Sequence, residues 1–149
     1  MYSLRRFATK HARAYEAVYR ATELPVLAAL RLLSRVAGNR FEKPITWLEK
    51  HTKGLLFDCQ MCGNCVLSKT GMTCPMNCPK AIRNGPCGGV RANGNCEVIP
   101  QMKCVWVDAW EGASRMQNSQ EIELVQFAVD RSQQGSSAWI RLAKRESAG

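Results

Sequence analysis

Histidine is nearly absent from this chain: His11 and His51 are the only two. Zinc fingers built on two cysteines and two histidines are thereby excluded in practice. The cysteine-bearing region has no histidine beside a serine or cysteine, so a hydrolytic nucleophile–base pair finds no support. Carboxylates are equally scarce there, with Asp58 and Glu97 alone across residues 51–104, and no pair stands out for acid–base work. Long apolar runs are missing too. The longest, residues 24–33, is broken by Pro25 and Arg31 and falls far short of the ~20 residues a membrane span needs. No Walker-type loop, dinucleotide fingerprint, internal repeat or low-complexity tract occurs. The glycine-rich residues 85–89 lack the lysine and flanking strand of a phosphate loop. The first residues carry arginines with no apolar core behind them, so no secretory signal is expected. A cytoplasmic location, where thiols stay reduced, is the corresponding expectation.

Cysteine, by contrast, is abundant and confined. All eight lie in residues 59–104, together with six of the eleven glycines. A segment so poor in aliphatic side chains is expected to be held by thiolates on metal rather than by buried hydrocarbon. Cys59, Cys62 and Cys65 form a C-x2-C-x2-C run; Cys74, Cys78, Cys87, Cys96 and Cys104 follow at wider intervals. Three thiolates at this spacing can wrap three corners of a cubane cluster, and the fourth often comes from a distant Cys-Pro. Both Cys74 and Cys78 precede proline. Eight thiolates suffice for two [4Fe–4S] clusters, or for one cluster and a four-thiolate zinc site. Zinc alone remains the alternative, although only the first group offers the paired knuckles it commonly uses. Cys59, Cys62 and Cys65 are expected to share one cluster; the rest of the partition stays open.

Around this segment the spacing is helical. Leu4, Phe7, His11, Tyr15 and Val18 fall on one stripe, predicting a helix over residues 3–20 with His11 partly buried. A break is expected at residues 22–24, with Thr22 as cap and Pro25 in the first turn of a second helix. That helix carries Leu27, Leu30, Leu33 and Val36 and ends at Gly38 and Asn39. A third runs from Lys43 to about Lys53, with Ile45, Leu48 and Trp47 as its apolar side and Gly54 as terminator. Residues 59–95 read as loops and short turns, with turn signals at Asn84-Gly85 and Asn93-Gly94. The Pro-Cys-Gly-Gly at residues 86–89 would let backbone pass close to a bulky group. A helix restarts near Cys104, another is expected from Glu121 to about Arg131, and the last residues read as a tail that orders on a partner.

Net charge is +9 and uneven: +6 over residues 1–50, +4 over 51–104 and −1 over 105–149. A basic surface of this kind meets an acidic partner or simply keeps the chain soluble. Nucleic-acid binding by a zinc protein is the less favoured reading, because no reading motif and almost no aromatics accompany the charge.

Residues 62–89, CGNCVLSKTGMTCPMNCPKAIRNGPCGG, closely resemble the cysteine-rich C-terminal domain of some methylenetetrahydrofolate reductases, which in several bacteria is a separate small subunit. The match runs through Cys62, Gly63, Cys65, Leu67, Thr70, Cys74, Pro75, Cys78, Pro79, Lys80 and residues 84–89; residues 96–98 and 104–106 also look familial. The resemblance implies a partner: a flavin-bearing (β/α)8 barrel that interconverts 5,10-methylene- and 5-methyltetrahydrofolate. It implies an accessory iron–sulfur subunit passing electrons to or from that flavin, non-catalytic alone, or a zinc-braced structural subunit of the same complex. The expected fold is mainly α, with a loop-rich, metal-stabilised cysteine core, a helical N-terminal arm and a C-terminal helix or tail. The expected divisions are a docking arm at 1–54, the cysteine-rich domain at 55–110 and the C-terminal helix and tail at 111–149. No membrane and no nucleic-acid partner is expected. Replacing Cys62 by Ser is expected to remove one metal site and lower the melting temperature, since metal binding here is folding energy; full metal content and an unchanged melt would refute the assignment.

Overall fold

The structure, a computed structural model, describes residues 2–38 and 40–147. Five helices carry it: α1 (Tyr2–Lys10), α2 (Ala12–Ala37), α3 (Glu42–Phe57), α4 (Val105–Ala113) and α5 (Ala138–Ser147). Three short 3-10 turns, at Pro75–Asn77, Ser119–Glu123 and Arg131–Gln133, punctuate the remainder. Among the described residues there is no sheet, only isolated antiparallel bridges joining Val90 to Cys96 and Asn95 to Lys103. The mainly helical expectation therefore holds. No helix among the described residues is long and apolar enough to cross a membrane.

The first helical break falls at His11 instead of residues 22–24. Thr22 does not cap; its hydroxyl donates back to the Val18 and Tyr19 carbonyls, as a helix-interior threonine does. Pro25 then lies inside α2, where its missing N–H costs ~3 kcal/mol. Leu27 and Leu30, buried one turn later against Ile140 and Ala143 of α5, offset that cost at ~1.5–3 kcal/mol each. The C-terminal segment is thus a docked helix, not a loose tail. Gly38 follows the last turn of α2, whereas Asn39 lies outside the described residues.

Of the apolar stripe expected at the N-terminus, only Tyr15 packs inward, its ring 5.5 Å from that of Phe57. Leu4 and Phe7 are exposed, and His11 is exposed with its ring against that of Phe7 at 4.1 Å. The buried face is Arg5, Ala8, Thr9, Ala12 and Glu16. Two alanines let α1 approach closely, and the polar neighbours find partners. Thr9 shares a 2.9 Å hydrogen bond with Thr73, Arg5 lies 4.0 Å from Asp108 of α4, and Glu16 accepts from the Gln117 N–H at 2.7 Å. Ala8 and Ala12 join Phe57, Leu67, Met72, Cys74 and Met116 in one apolar cluster. The cysteine segment thus contributes Leu67, Met72 and Cys74 to a small hydrocarbon core that the flanking helices complete.

Helix α3 runs through Gly54 to Phe57, and the stop comes from Asp58 in the left-handed region (φ 54°) with its N–H on the Gly54 carbonyl. Its buried stripe is Glu49, Lys53 and Phe57, while Trp47 and Leu48 are exposed. The turn at Asn93-Gly94 forms as expected, with Gly94 at φ 80° and the Arg91 N–H on the Asn95 carbonyl at 2.9 Å. Cys104 sits at the start of α4, also as expected. The helix predicted from Glu121 is only the turn Ser119–Glu123, followed by extended chain.

Helix α4 seats on the cysteine segment through two facing glycines. A Cβ on Gly112 would strike the Gly71 carbonyl, and one on Gly71 would strike the Ala109 carbonyl. Gly112→Ala is therefore expected to destabilise by ~1–3 kcal/mol or more through overpacking. Gly54→Ala, in open space within α3, should stabilise by ~0.5–1 kcal/mol. Urea denaturation of both variants checks the pair, and equal effects at the two positions would contradict the packing described.

Candidate metal centre

All eight cysteines are free thiols. Four of them, Cys59, Cys62, Cys65 and Cys74, line one cavity enclosed by the end of α3, residues 61–67, residues 74–76 and the start of α5. Of the two Cys-Pro candidates, Cys74 is the one that joins the C-x2-C-x2-C run; Cys78 does not line the cavity. Cys62 and Cys74 are buried, Cys59 is half-buried and Cys65 is exposed.

The backbone at this segment is held in an unusual state. Among the described residues, four non-glycine residues have positive φ, and all lie between 58 and 81: Asp58 (54°), Met61 (47°), Met72 (54°) and Ala81 (51°). Such conformations cost of order 1 kcal/mol each and cluster at functional sites. Met61 stands between Cys59 and Cys62, and its N–H lies 3.4 Å from the Cys59 sulfur. Gly63, at φ 71°, also packs where a Cβ would meet the Gln133 carbonyl and the Ser136 hydroxyl, so the loop could not accept a side chain there.

Two cations approach the sulfurs. Lys53 Nζ is 3.6 Å from Cys65 Sγ and 2.6 Å from Glu49 Oε1. Burial presses this ammonium toward its neutral form, but the negative charges of Cys65 and Glu49 outweigh it and hold its pKa above the usual lysine range. Glu49, itself 1 % exposed, accepts from the Ser137 hydroxyl through its other oxygen. The ring of Trp139 lies 4.6 Å from the Lys53 nitrogen. Arg83 reaches in from the opposite side, with Nη2 donating to the Asn64 carbonyl at 2.6 Å and Nη1 at 4.0 Å from Cys62 Sγ. Arg141 of α5 donates to the Gly63 carbonyl at 2.8 Å and to Asn64 Oδ1 at 3.2 Å. Two arginines from distant segments thus hold the same short loop between Cys62 and Cys65.

The hydrogen bond between Cys59 and Cys74 splits their acidities. It lowers Cys59 to about 7, with the Met61 N–H and Lys53 assisting against burial, while Cys74, the donor, is raised together with its burial. The cavity interior is about 20 Å³, room for about one water. Among the described residues no three Cys, His, Asp or Glu side chains converge as ligands of a single ion do. The donor set itself suits a thiophilic group: four sulfurs, two flanking cations, and one carboxylate already neutralised by Lys53. Metal binding at these sulfurs would deprotonate both Cys59 and Cys74.

Cys78, Cys87, Cys96 and Cys104 lie elsewhere. Cys78 ends the Pro75–Asn77 turn, and Cys87 follows the cis Gly85–Pro86 bond. Cys96 and Cys104 stand on the two arms of the 91–104 knot, where the Cys104 N–H meets the Gly94 carbonyl at 2.9 Å. Lys80, ion-paired with Glu97, feels the charges of both Cys87 and Cys96. Within the expected stretch Gly89 packs against the Glu97 side chain, and just before it Gly85 packs against the Trp106 ring. Neither histidine lines the four-cysteine cavity.

Lys53, Glu49, Arg83 and Arg141 were not singled out from the sequence. The available signal was Glu49 and Lys53, four apart on a helix stripe that continues to Phe57.

A family model described as "Methylene-tetrahydrofolate reductase C terminal" matches residues 39–132. That span holds all eight cysteines and leaves α1, α2 and α5 outside. Comparison with curated proteins returned no match, and comparison with solved structures returned none either.

Lys53→Met is expected to destabilise by ~3–5 kcal/mol, because it strands the buried Glu49 carboxylate. Adding Glu49→Gln should restore part of the loss. Thermal melts of the two variants check this, and a single-variant effect within experimental error of wild type would contradict it.

Proposed function

Because the chain belongs to the methylenetetrahydrofolate reductase C-terminal family, we propose that it is an accessory iron–sulfur subunit of such a reductase, non-catalytic alone. One observation carries the reading: four of the family segment's cysteines, in a C-x2-C-x2-C plus Cys-Pro arrangement, share one cavity. A thiolate-held iron–sulfur cluster supplies one-electron redox chemistry. In this proposal Cys59, Cys62, Cys65 and Cys74 hold it. Lys53 and Arg83 place positive charge beside the sulfurs, which would favour the thiolate form and the reduced, more negatively charged state of a group the sulfurs held. The Met61 N–H points to Cys59 as a backbone donor of the kind that tunes such sites. Cys78, Cys87, Cys96 and Cys104 are the ligands left for a second site. The partner is the flavin-bearing (β/α)8 subunit, where 5,10-methylene- and 5-methyltetrahydrofolate interconvert.

Zinc in a bracing role is the second reading, favoured by the small interior of the cavity, which suits one ion better than a cluster. Anaerobic co-purification with the reductase subunit separates the two. A brown protein absorbing broadly near ~400 nm, with iron and acid-labile sulfide in equal amounts, is expected for the cluster. A colourless preparation with stoichiometric zinc would refute electron transfer and leave the structural subunit.

A further inference from the structure

Beside the four-cysteine cavity opens a larger cleft of about 220 Å³. The two share the loop Gly63, Asn64, Cys65 and Val66, together with Arg83. Cys65, the exposed thiol of the four, therefore lies at the boundary between them. Arg83, Arg141 and Arg145 line the cleft and, among the described residues, no carboxylate side chain does. Arg83 is 9 % exposed, and its Nε is buried without a hydrogen-bond partner. Burial, and after it the charge of Cys65, pushes the Tyr19 phenol on the same wall up to about 12.

The rim is apolar and held in place. Phe127 is 93 % exposed and Val125 is 84 % exposed. Scattered exposed hydrophobics need no explanation, but these two flank a fixed point. The Asn84 side-chain amide donates to the Gln126 carbonyl at 2.8 Å and accepts from the Gln126 N–H at 2.7 Å. Asn84 thus fixes the backbone at Gln126, and the side chains on either side of it, Val125 and Phe127, stand in solvent. An aromatic side chain presented on anchored backbone pays little further entropy to bind, as interface anchors do.

We infer that this face is the docking surface for an acidic protein surface, with Phe127 entering an apolar socket and Arg145 at the rim meeting carboxylates. On the function proposed above, on which this inference rests, that partner is the reductase catalytic subunit. It would sit directly over Cys65 and hence over the four-cysteine cavity. A single-stranded nucleic acid also uses arginines and aromatics. However, of the aromatic rings that line the cleft only Phe127 stands fully in solvent, while Tyr19 and Trp139 are half-buried, which leaves no platform for successive bases. Another exposed apolar face, Leu24, Leu32 and Val36 of α2, lines neither the cleft nor the four-cysteine cavity.

Association of the full chain with the purified catalytic subunit, followed by biolayer interferometry at low and high salt, tests the surface. Phe127→Ser and Arg145→Glu are each expected to weaken binding about tenfold or more with unchanged melting temperature, and Val36→Ser to leave it unchanged. Wild-type affinity in both Phe127→Ser and Arg145→Glu, or loss in Val36→Ser alone, overturns the inference while leaving the partner in place. No association of the wild-type chain overturns the proposed function and the surface with it. Tight binding of a single-stranded oligonucleotide that Arg145→Glu abolishes would reassign the cleft to nucleic acid.

Discussion

The buried ammonium of Lys53 ties together the three parts of the molecule that matter most. It sits between the Glu49 carboxylate and the Cys65 sulfur, under the ring of Trp139. Glu49 in turn takes a hydrogen bond from Ser137. Helix α3, the cysteine loop and the start of α5 are therefore joined by one charged chain. Taking an ammonium and a carboxylate out of water costs several kcal/mol per ion. The arrangement is stable only because each charge has a partner, so neither helix can shift without exposing an unpaired ion. A thiolate at Cys65 completes the set. The network is arranged to welcome negative charge at the sulfurs, which is what metal binding to thiols creates.

The surroundings repeat the pattern at lower cost. Arg83, from within the cysteine segment, and Arg141, from α5, grip the Gly63 and Asn64 peptides. Met72 and Leu67 give the same segment an apolar anchor against Ala8 and Ala12 of the N-terminal helices. Gly71 and Gly112 let α4 close against it backbone to backbone. The left-handed residues Met61 and Met72 are affordable because this packing over-determines the path of the chain. Helices outside the family segment thus hold the loop that carries its cysteines, which links the added helices to the site's shape.

Some of this was legible in the amino-acid order. The Cys-Gly-Asn-Cys and Asn-Gly-Pro-Cys-Gly-Gly strings identified the family. The glycine at 94 marked a turn, and the apolar spacing after Pro100 placed Cys104 at a helix start. The misses have physical causes. Periodicity put Leu4 and Phe7 inside, but close approach favoured alanine, and the charges of Arg5 and Glu16 could be buried because Asp108 and the Gln117 N–H were waiting for them. Those partners lie about a hundred residues away, beyond any local pattern. Pro25 read as a first-turn residue, yet the leucines that outweigh its missing N–H are covered by α5. Ile122, Val125 and Val129 had helical spacing, but the Asn84 side chain claims the Gln126 backbone groups that a helix would use. The grouping of Cys59, Cys62 and Cys65 with Cys74 was half legible: spacing left Cys74 and Cys78 level, and only the folded path separates them.

The central claim is that these four sulfurs act as one ligand set for iron. Anomalous diffraction collected at the iron and zinc edges from anaerobically grown crystals tests it most directly. The account predicts iron-edge density in the cavity bounded by Cys59, Cys62, Cys65 and Cys74, beside Lys53 and Arg83. Zinc-edge density at that position, or iron bound only by Cys78, Cys87, Cys96 and Cys104, would contradict it.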